Sequence, residues 1–357
     1  MSRKPDIAAL MMAAIKEAGS SELPRQYLGG SIIGKECERE LWYSFRDGAP
    51  PDEFDGRMYR LFEHGHHEES RLVADLRRAG FTVHAADKDG KQFGWEDVDG
   101  HFRGHIDGVV KIGEDWHLLE CKTHGENSFE KLKKDGLVKS KPEHHSQMQV
   151  YMYNMKLKFG LYLAMNKNTD ELYTEYVKLE EACAKALISR ADSIIHAKTD
   201  VDGSPGWKCS WCAFKQICAK HNKERDDKLP AVNVARKTCR QCVYAKIDGR
   251  EWRCSKLNVP LSREAQLKAC DEHVFLPDFV AGAVPDEFNS DGMAYLKPDG
   301  SSFLNGKGGF SSDAMMFYPI SKLGDENAET LLSDAFGSQA YKRVKASEVS
   351  MDEVAPF

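Results

Sequence analysis

The fold is decided by the stretch "GHIDGVVKIGEDWHLLECK", residues 104–122. Two β-rich runs flank the loop Gly113-Glu114, and a two-residue loop that begins with glycine suits the type II′ turn of a β-hairpin. In the register that this turn sets, Asp107 lies directly opposite Glu120. The stretch therefore predicts a hairpin that carries two facing carboxylates.

The facing carboxylates need an explanation, because like charges directly opposite each other destabilise a sheet. Side-chain alternation along the second strand places Lys122 on the same face as Glu120. One interpretation is a divalent metal held by Asp107 and Glu120, with Lys122 placed to activate water or neutralise a phosphate. The alternative is a solvated polar face with an ordinary Glu–Lys pair, since D-x(n)-E-x-K also arises by chance.

Length and charge limit the classes of function. The 357 residues are enough for one large domain with appendages or for two domains. The net charge of −6 means that an anionic substrate must meet a local basic patch. No apolar run approaches the roughly 20 residues of a membrane span. The segment "GSSFLNGKGG", residues 300–309, fails the P-loop pattern, which argues against an ATP-driven motor.

A helix is predicted over "RLFEHGHHEESRLVADLRRAG", residues 60–80, with Gly80 at its C-terminal end. Its apolar residues recur at helical spacing. They form a stripe that we expect to be buried, namely Leu61, Phe62, Gly65, Leu72, Val73 and Leu76.

Glu69 falls inside this apolar stripe. A carboxylate there is costly unless it is paired or binds a metal, so Glu69 is a candidate third acidic ligand. Glu68 and His66 lie near enough in angle to be rivals for that role. The alternative is a boundary residue in an ion pair with Arg71 or Arg77.

A second helix is predicted within "HHSQMQVYMYNMKLKFG", beginning around His144. Gln147 and Tyr151 are one turn apart, so their polar ends can project together toward a DNA backbone or a catalytic carboxylate. The alternative is an ordinary amphipathic helix whose core residues are Met148, Val150, Met152 and Met155.

A group of lysines lies between the hairpin and this second helix. It comprises Lys131, Lys133, Lys134, Lys139 and Lys141. Their position beside the candidate metal site favours contact with DNA phosphates. Because Glu126, Glu130 and Asp135 dilute the charge, a solvated surface segment is the alternative.

Seven of the ten cysteines fall between residues 209 and 270. Such spacing without a secretion signal indicates metal ligation in a cytoplasmic protein rather than disulfides. The triplet Cys209-x2-Cys212-x5-Cys218, with the distant Cys37, supplies the four thiolates of a cubane iron–sulfur cluster. Zinc would accept the same ligands.

A second set of cysteines is spaced as two half-sites of a small zinc module. It consists of Cys239, Cys242, Cys254 and Cys270. His273 competes with Cys270 as the fourth ligand, and disulfides or free thiols are the alternative. Cys121 and Cys183 are interpreted as structural thiols.

Taken together, these motifs resemble a known family. In chain order, Gly65-x3-Glu69, "GHID" at Asp107, "ECK" at Glu120 and Lys122, and Gln147-x3-Tyr151 resemble the PD-(D/E)xK nucleases of the RecB type. The C-x-R at Cys37 and the cysteine triplet are similar to the iron–sulfur subgroup, which includes CRISPR-associated single-strand exonucleases and the AddB nuclease domain. The resemblance covers about residues 28–222. One departure is Glu69, where that subgroup usually has histidine and phage lambda exonuclease has glutamate.

The resemblance implies roles for these residues. Asp107 and Glu120 would bind Mg²⁺ or Mn²⁺ together with Glu69 and the carbonyl oxygen of Cys121. Lys122 would orient the attacking water, and Gln147 and Tyr151 match the family's Q-x3-Y motif. The cysteine ligands would hold a 4Fe-4S cluster, and a phage-encoded exonuclease is favoured.

The sequence thus predicts an α/β nuclease with a mixed β-sheet flanked by helices. The predicted segments are a core closed by the iron–sulfur cluster over 1–225, a zinc module over 226–280 and a C-terminal extension over 281–357. We expect a metal-dependent DNA exonuclease that resects ends or single strands, with a recombination or replication protein as a further partner. A structure-specific endonuclease and a non-catalytic DNA-binding scaffold are the alternatives.

Overall fold

The computed structural model describes residues 4–20, 25–49, 54–199, 201, 203, 207–218 and 229–323. The chain separates into two compact units, Met1–Phe45 with Asp52–Ala197 and Arg46–Pro51 with Lys198–Phe357. The cysteine triplet, the four later cysteines and residues 281–323 all belong to the second unit, whereas the sequence predicts boundaries near 225 and 280. None of the described helices is long and apolar enough to cross a membrane.

The first unit contains six helices and eight strands in its described part. The helices are α1 (Ile7–Ser20), α2 (Glu38–Phe45), α3 (Gly56–Arg78), α4 (Glu126–Ser140), α5 (Pro142–Asn154) and α6 (Glu181–His196). The strands are β1 (Leu28–Gly29), β2 (Thr82–His84), β3 (Gly94–Asp97), β4 (Phe102–His105), β5 (Gly108–Ile112), β6 (Asp115–His124), β7 (Phe159–Asn166) and β8 (Leu172–Lys178).

Five of these strands form a central sheet in the order β2-β5-β6-β7-β8, and β1, β4 and β3 form a smaller sheet. Neighbours in the central sheet are antiparallel except β6 and β7, which are parallel. The helices α4 and α5 make the connection that two parallel neighbours require. A mixed sheet flanked by helices confirms the predicted α/β class.

The hairpin of β5 and β6 has the predicted register, since Gly108 pairs with Leu119. Gly113 has a φ of 61°, as the first central residue of a type II′ turn requires. Asp107 directly precedes β5, one position beyond that pair, which places it across from Glu120.

Helix α3 covers one face of the central sheet. Its Leu72 and Val73 join Leu119 and Cys121 of β6 in a buried apolar cluster. This confirms the C-terminal half of the predicted stripe and the structural role of the Cys121 side chain. The helix ends at Arg78.

The predicted stripe is wrong at Phe62, whose side chain is 44% exposed. Helix α3 packs against α1 at its N-terminal end, where a Cβ at Gly56 would clash with the Met12 carbonyl oxygen. There the ring of Phe62 contacts the edge of Phe54, with 5.2 Å between the ring centroids.

Helix α5 covers the opposite face of the sheet. It begins at Pro142, two residues before the predicted start, because proline is well suited to the first helical position. Met148 and Met152 are fully buried. A Cβ at Gly160 of β7 would lie only 2.7 Å from Met148 Cε, so this glycine admits the helix against the sheet.

In its described part, the second unit contains two three-stranded sheets, ordered β11-β10-β9 and β12-β13-β14. Their strands are β9 (Ala245–Asp248), β10 (Glu251–Cys254), β11 (Val259–Leu261), β12 (Val284–Phe288), β13 (Gly292–Leu296) and β14 (Ser302–Gly306), with short helices α7 (Arg263–Lys268) and α8 (Ser312–Met315). The side-chain oxygen of Asn305 accepts a hydrogen bond from Phe275 N–H at 2.8 Å, and Ser312 Oγ donates to the His273 carbonyl at 2.6 Å. Residues 281–323 therefore pack with the segment that carries the four cysteines.

Candidate active site

Asp107 is fixed at the start of the hairpin by the facing strand. Its Oδ2 accepts a hydrogen bond of 2.7 Å from the backbone N–H of Cys121. Burial raises the pKa of the Asp107 carboxyl, while the charge of Lys122 and the Cys121 hydrogen bond act in the opposite direction. A charged Asp107 thus depends on a neighbouring cation.

Glu120 is the buried centre of the site, with 0% of its side chain exposed. Its Oε1 accepts hydrogen bonds from Lys122 Nζ and from Gln147 Nε2 at 2.7 Å. Its Oε2 is also buried and has no hydrogen-bond partner among the described residues. Burial raises the pKa of Glu120 to about 7, and the charges of Asp107 and Glu69 add to this effect. A buried carboxylate oxygen without a donor is costly unless the carboxyl is protonated or meets a cation.

Lys122 stays charged in this environment. Burial alone would lower the pKa of its ammonium group, but the carboxylates of Glu120 and Asp107 outweigh burial and raise it above its usual value. Lys122 is therefore a fixed positive charge beside the two carboxylates.

Glu69 of α3 is the third carboxylate of the cluster. Burial, followed by the charge of Asp107, raises the pKa of Glu69 to about 7, and Lys122 opposes the rise. Its rival Glu68 is paired with Arg71 at 3.2 Å, and Arg77 donates to the backbone carbonyl of Val83 at 3.0 Å. Arg71 and Arg77, the ion-pair partners that the alternative interpretation gives to Glu69, thus have other partners.

His66, the other rival, is an exposed side chain of α3. A charge on its imidazole would lower the pKa of Asp107, so it lies within electrostatic reach of the cluster. Glu69 is more buried than His66 and is coupled to both Asp107 and Glu120.

Gln147 and Tyr151 of α5 meet the cluster from the second face of the sheet. Tyr151 is 3% exposed and shares a side-chain hydrogen bond with Gln147. Its ring contacts the edge of Trp95, with 5.5 Å between the ring centroids. Gln147 therefore orients the Glu120 carboxylate, and Tyr151 orients Gln147.

The Tyr151 ring fits because two glycines leave room for it. A Cβ at Gly104 would lie 2.7 Å from Tyr151 Cε1 and 2.8 Å from Trp95, and a Cβ at Gly30 would be equally close. Contacts of this length force side chains or backbone to move.

We therefore expect Gly104→Ala to destabilise the protein by about 1–3 kcal/mol, the usual cost of overpacking a core. Gly65→Ala is the matched control, because a Cβ there has no neighbour within 4 Å among the described residues and alanine favours helix interiors. Urea unfolding midpoints compare the two variants. Equal midpoints for Gly104→Ala and the wild type would show that the Tyr151 pocket is not tightly packed.

The predicted DNA-binding lysines lie in two environments. Lys131, Lys133, Lys134 and Lys139 are exposed on α4, and the partly buried Lys141 follows it. Lys133 forms ion pairs with Glu171 at 2.6 Å and with Glu130 at 3.2 Å, which reduces its contribution to a positive surface.

The carboxylate cluster is not arranged as a closed ligand shell. In the described part of the chain, no three His, Cys, Asp or Glu side chains are placed to hold a metal ion as they stand. Asp107 Oδ2 and Glu120 Oε1 are turned toward protein donors instead. The partnerless Glu120 Oε2 and the raised pKa values still fit a cation.

The four cysteines proposed for zinc line one pocket together with His273. Burial raises the pKa of Cys239 to about 12, and the other three thiols add to it. None of the four is in a disulfide. Both ring nitrogens of His273 are already engaged, with Ser312 Oγ at 2.9 Å and the Thr238 carbonyl at 2.9 Å, which favours Cys270 as the fourth ligand.

The proposed iron–sulfur ligands are divided between the two units. Cys37 directly precedes α2 in the first unit, and the triplet Cys209, Cys212 and Cys218 belongs to the second.

Three side chains beside Lys122 were not predicted from the sequence. Tyr162 of β7 lies within hydrogen-bond distance of His124 Nε2, at 2.9 Å, and of His144 Nδ1, at 2.8 Å. The alternation that places Glu120 and Lys122 on one face of β6 also includes His124, so this residue had a detectable signal.

Comparison with known proteins places these observations in a family. The sequence matches the PD-(D/E)XK nuclease superfamily over residues 12–219. A search of curated proteins gave no match. Among solved structures, the chain is similar to SSO0001, with 16% identity, a TM-score of 0.40 and coverage of 61% of this chain and 98% of that one. It is also similar to the alkaline exonuclease LHK-Exo from Laribacter hongkongensis, with 15% identity, a TM-score of 0.35 and coverage of 51% and 90%. Because the family match spans more than half of its residues, the chain belongs to the PD-(D/E)XK nuclease superfamily.

Proposed function

We propose that this protein is a deoxyribonuclease that requires Mg²⁺ or Mn²⁺ and removes nucleotides from DNA ends. The observation that carries the proposal is Glu120, buried beside Asp107 and Lys122 with Oε2 unpartnered among the described residues. A carboxylate that is buried and lacks a partner at one oxygen is explained by a cation that binds to it.

The residues that would hold the metal are Glu69, Asp107, Glu120 and the carbonyl oxygen of Cys121. Hard divalent cations prefer such oxygen ligands. When bound, the metal would lower the pKa of a water molecule and stabilise the charge that develops on the phosphate.

The chain's own residues would position the reacting groups. Lys122 would donate hydrogen bonds from its ammonium group to the attacking water or to a phosphate oxygen. Gln147 holds Glu120 in one orientation, so that Lys122 and the carboxylate keep a fixed relation. In the hydrolysis, the water oxygen bonds to phosphorus, the bond to the leaving oxygen breaks, and that oxygen takes up a proton.

Degradation from ends is supported by the motif set, which is similar to that of the RecB-type exonucleases. End-labelled single-stranded and double-stranded DNA, with Mg²⁺ or Mn²⁺, should lose label as mononucleotides or short fragments. Covalently closed circular DNA is the control and should remain intact. Cleavage of the circle would indicate an endonuclease, and binding without cleavage of any substrate would indicate a scaffold. Resection of ends in recombination or replication is the process that such an activity would serve.

Replacing Glu69 by glutamine is expected to raise the metal concentration for half-maximal cleavage by about 10-fold, the lower end of the usual cost of weakening a metal site.

The wild type should also need less metal as the pH rises through about 7, since burial raises the pKa of Glu69 to about 7 in the metal-free protein. Below that pH protons compete with the metal for the carboxylates. Metal titrations of activity at several pH values test both expectations.

The control for the Glu69→Gln variant is Glu68→Gln, because Glu68 pairs with Arg71 on the same helix. It should leave the metal requirement unchanged. If Glu68→Gln or His66→Ala raises the requirement and Glu69→Gln does not, the helix contributes a different ligand.

The iron–sulfur cluster is a proposal that rests on spacing and on the resemblance of Cys37, Cys209, Cys212 and Cys218 to the cysteine pattern of the iron–sulfur subgroup. Protein purified without oxygen should contain about four iron atoms per chain, and Cys37→Ala should lose them. Full iron content in Cys37→Ala would remove Cys37 from the ligand set.

The zinc module is proposed from the four cysteines that line one pocket. Cys254 Sγ accepts a hydrogen bond from Leu257 N–H at 3.4 Å, an arrangement that would also stabilise a thiolate. Four thiolates suit a structural zinc ion, since they leave no open coordination position for catalysis.

A further inference from the structure

A chain of hydrogen bonds runs from α4 through the sheet to α5, beside Lys122. Lys141 Nζ lies 2.5 Å from Ser128 Oγ, and Ser128 Oγ lies 3.4 Å from His124 Nδ1. His124 Nε2 is 2.9 Å from Tyr162 Oη, which is 2.8 Å from His144 Nδ1. The two imidazole rings stack with their centroids 5.7 Å apart.

The direction of this chain follows from its first member. An ammonium group can only donate, so Ser128 Oγ accepts from Lys141; a hydroxyl polarised in this way is a stronger donor and a weaker acceptor, which favours donation of its own hydrogen to His124 Nδ1. His124 then carries its proton on Nε2 and donates to Tyr162, whose hydroxyl donates to His144 Nδ1. In this direction a neutral His144 carries its proton on Nε2.

Both His124 and His144 are neutral near neutral pH, because their pKa values are lowered. Burial lowers the pKa of His144 to about 3, with further contributions from Lys122, His124 and Lys141. Burial likewise lowers the pKa of His124 to about 4, with Lys141, Lys122 and Lys167 adding to it. The network thus presents a neutral N–H donor among lysines.

The donor lies next to the proposed site of chemistry. Tyr162 is paired with Glu120 in the ladder of β6 and β7, and Lys122 acts electrostatically on both Tyr162 and His144. His144 itself is only partly buried, in contrast to Tyr162 and His124. The bonds described above leave its Nε2–H unused.

We propose that His144 Nε2–H donates a hydrogen bond to a backbone phosphate of the DNA strand beside Lys122, and that Tyr162 and His124 are positioning residues that fix its tautomer. This inference rests on the proposed function, because it assumes that DNA is the ligand of this face. The lysines attract the phosphate, and the neutral donor adds direction without adding charge.

The test measures binding of a fluorescent single-stranded oligonucleotide to the full chain in EDTA, where cleavage does not interfere. His144→Ala should weaken binding about 10-fold, the usual effect of losing one hydrogen bond to a charged group. His144→Gln keeps an N–H donor near the same position and should bind within about 3-fold of the wild type. His145→Ala is the control, since His145 lies on the same helix but contacts Gln149 at 3.1 Å.

The salt dependence of binding separates this role from a charged or structural one. Because a neutral donor releases no counterion, the slope of log K against log salt should be the same for His144→Ala and the wild type. The proposal is overturned if the slope for His144→Ala falls by about one unit, or if His144→Ala binds with wild-type affinity. It is also overturned if His144→Gln binds as weakly as His144→Ala, or if the wild type does not bind DNA. If His144→Ala weakens binding as expected but the wild type cleaves no DNA, the proposed hydrolysis is overturned and the phosphate contact stands.

Discussion

Asp107→Asn is expected to reduce DNA cleavage by at least about 1,000-fold, a loss typical of removing one group from a catalytic centre. The Asp107 carboxylate faces Glu120 across the hairpin and depends on a cation to stay charged, since burial raises its pKa. Asparagine removes the charge that a divalent metal requires. Rates of release of end label at saturating Mg²⁺ or Mn²⁺ measure the effect.

The variant should remain folded. The asparagine side chain keeps an oxygen that can accept the N–H of Cys121, so the bond that fixes this position is retained. Burial opposes the charged form of Asp107 in the metal-free protein, so removing the charge should not lower its free energy of unfolding. Melting temperatures of wild type and variant test this point.

Asp115→Asn is the matched control, because Asp115 is an exposed carboxylate on the same hairpin. It should cleave DNA at the wild-type rate. Full activity in Asp107→Asn would contradict the assignment of the hairpin as the active site, while equal losses in both variants would indicate a general effect of charge on DNA binding.

The hairpin and its carboxylates were predictable because short-range rules determine them. A glycine-first turn sets the register, and a period of two then assigns each side chain to a face. Helical spacing places Gln147 and Tyr151 one turn apart, and the resemblance to the Q-x3-Y motif singled out this pair. Because these rules act over a few residues, they can be applied to the sequence without knowledge of the fold.

Other features depend on which element packs where. Phe62 has the spacing of a core residue, but it is exposed because that half of α3 packs against α1. No local sequence pattern identifies His144 as a site residue, because its partner Tyr162 lies on β7, the strand that follows the helix. The second unit includes residues 46–51, far from the rest of it in sequence, and no local pattern predicts such a division.

Cys239→Ser is expected to abolish zinc binding by the second unit and to lower its melting temperature by at least about 10 °C, since the binding energy of structural zinc is folding energy. Its strands are only three to five residues long, so a metal bound at the pocket would supply stability that short sheets lack. Zinc analysis of the full chain should give about one zinc ion bound by these cysteines.

The four thiols line one pocket, although only Cys242 is fully buried and Cys270 is exposed, and packing alone does not require cysteine at all four positions. Burial raises the pKa of Cys239 to about 12 and that of Cys242 to about 11, so in the metal-free protein they are protonated, and zinc binding must release those protons. Zinc affinity should therefore increase with pH. Cys183→Ser is the control, because Cys183 lies on α6 in the first unit and should leave the zinc content unchanged. A Cys239→Ser protein that keeps its zinc and its melting temperature would show that this pocket is not a metal site.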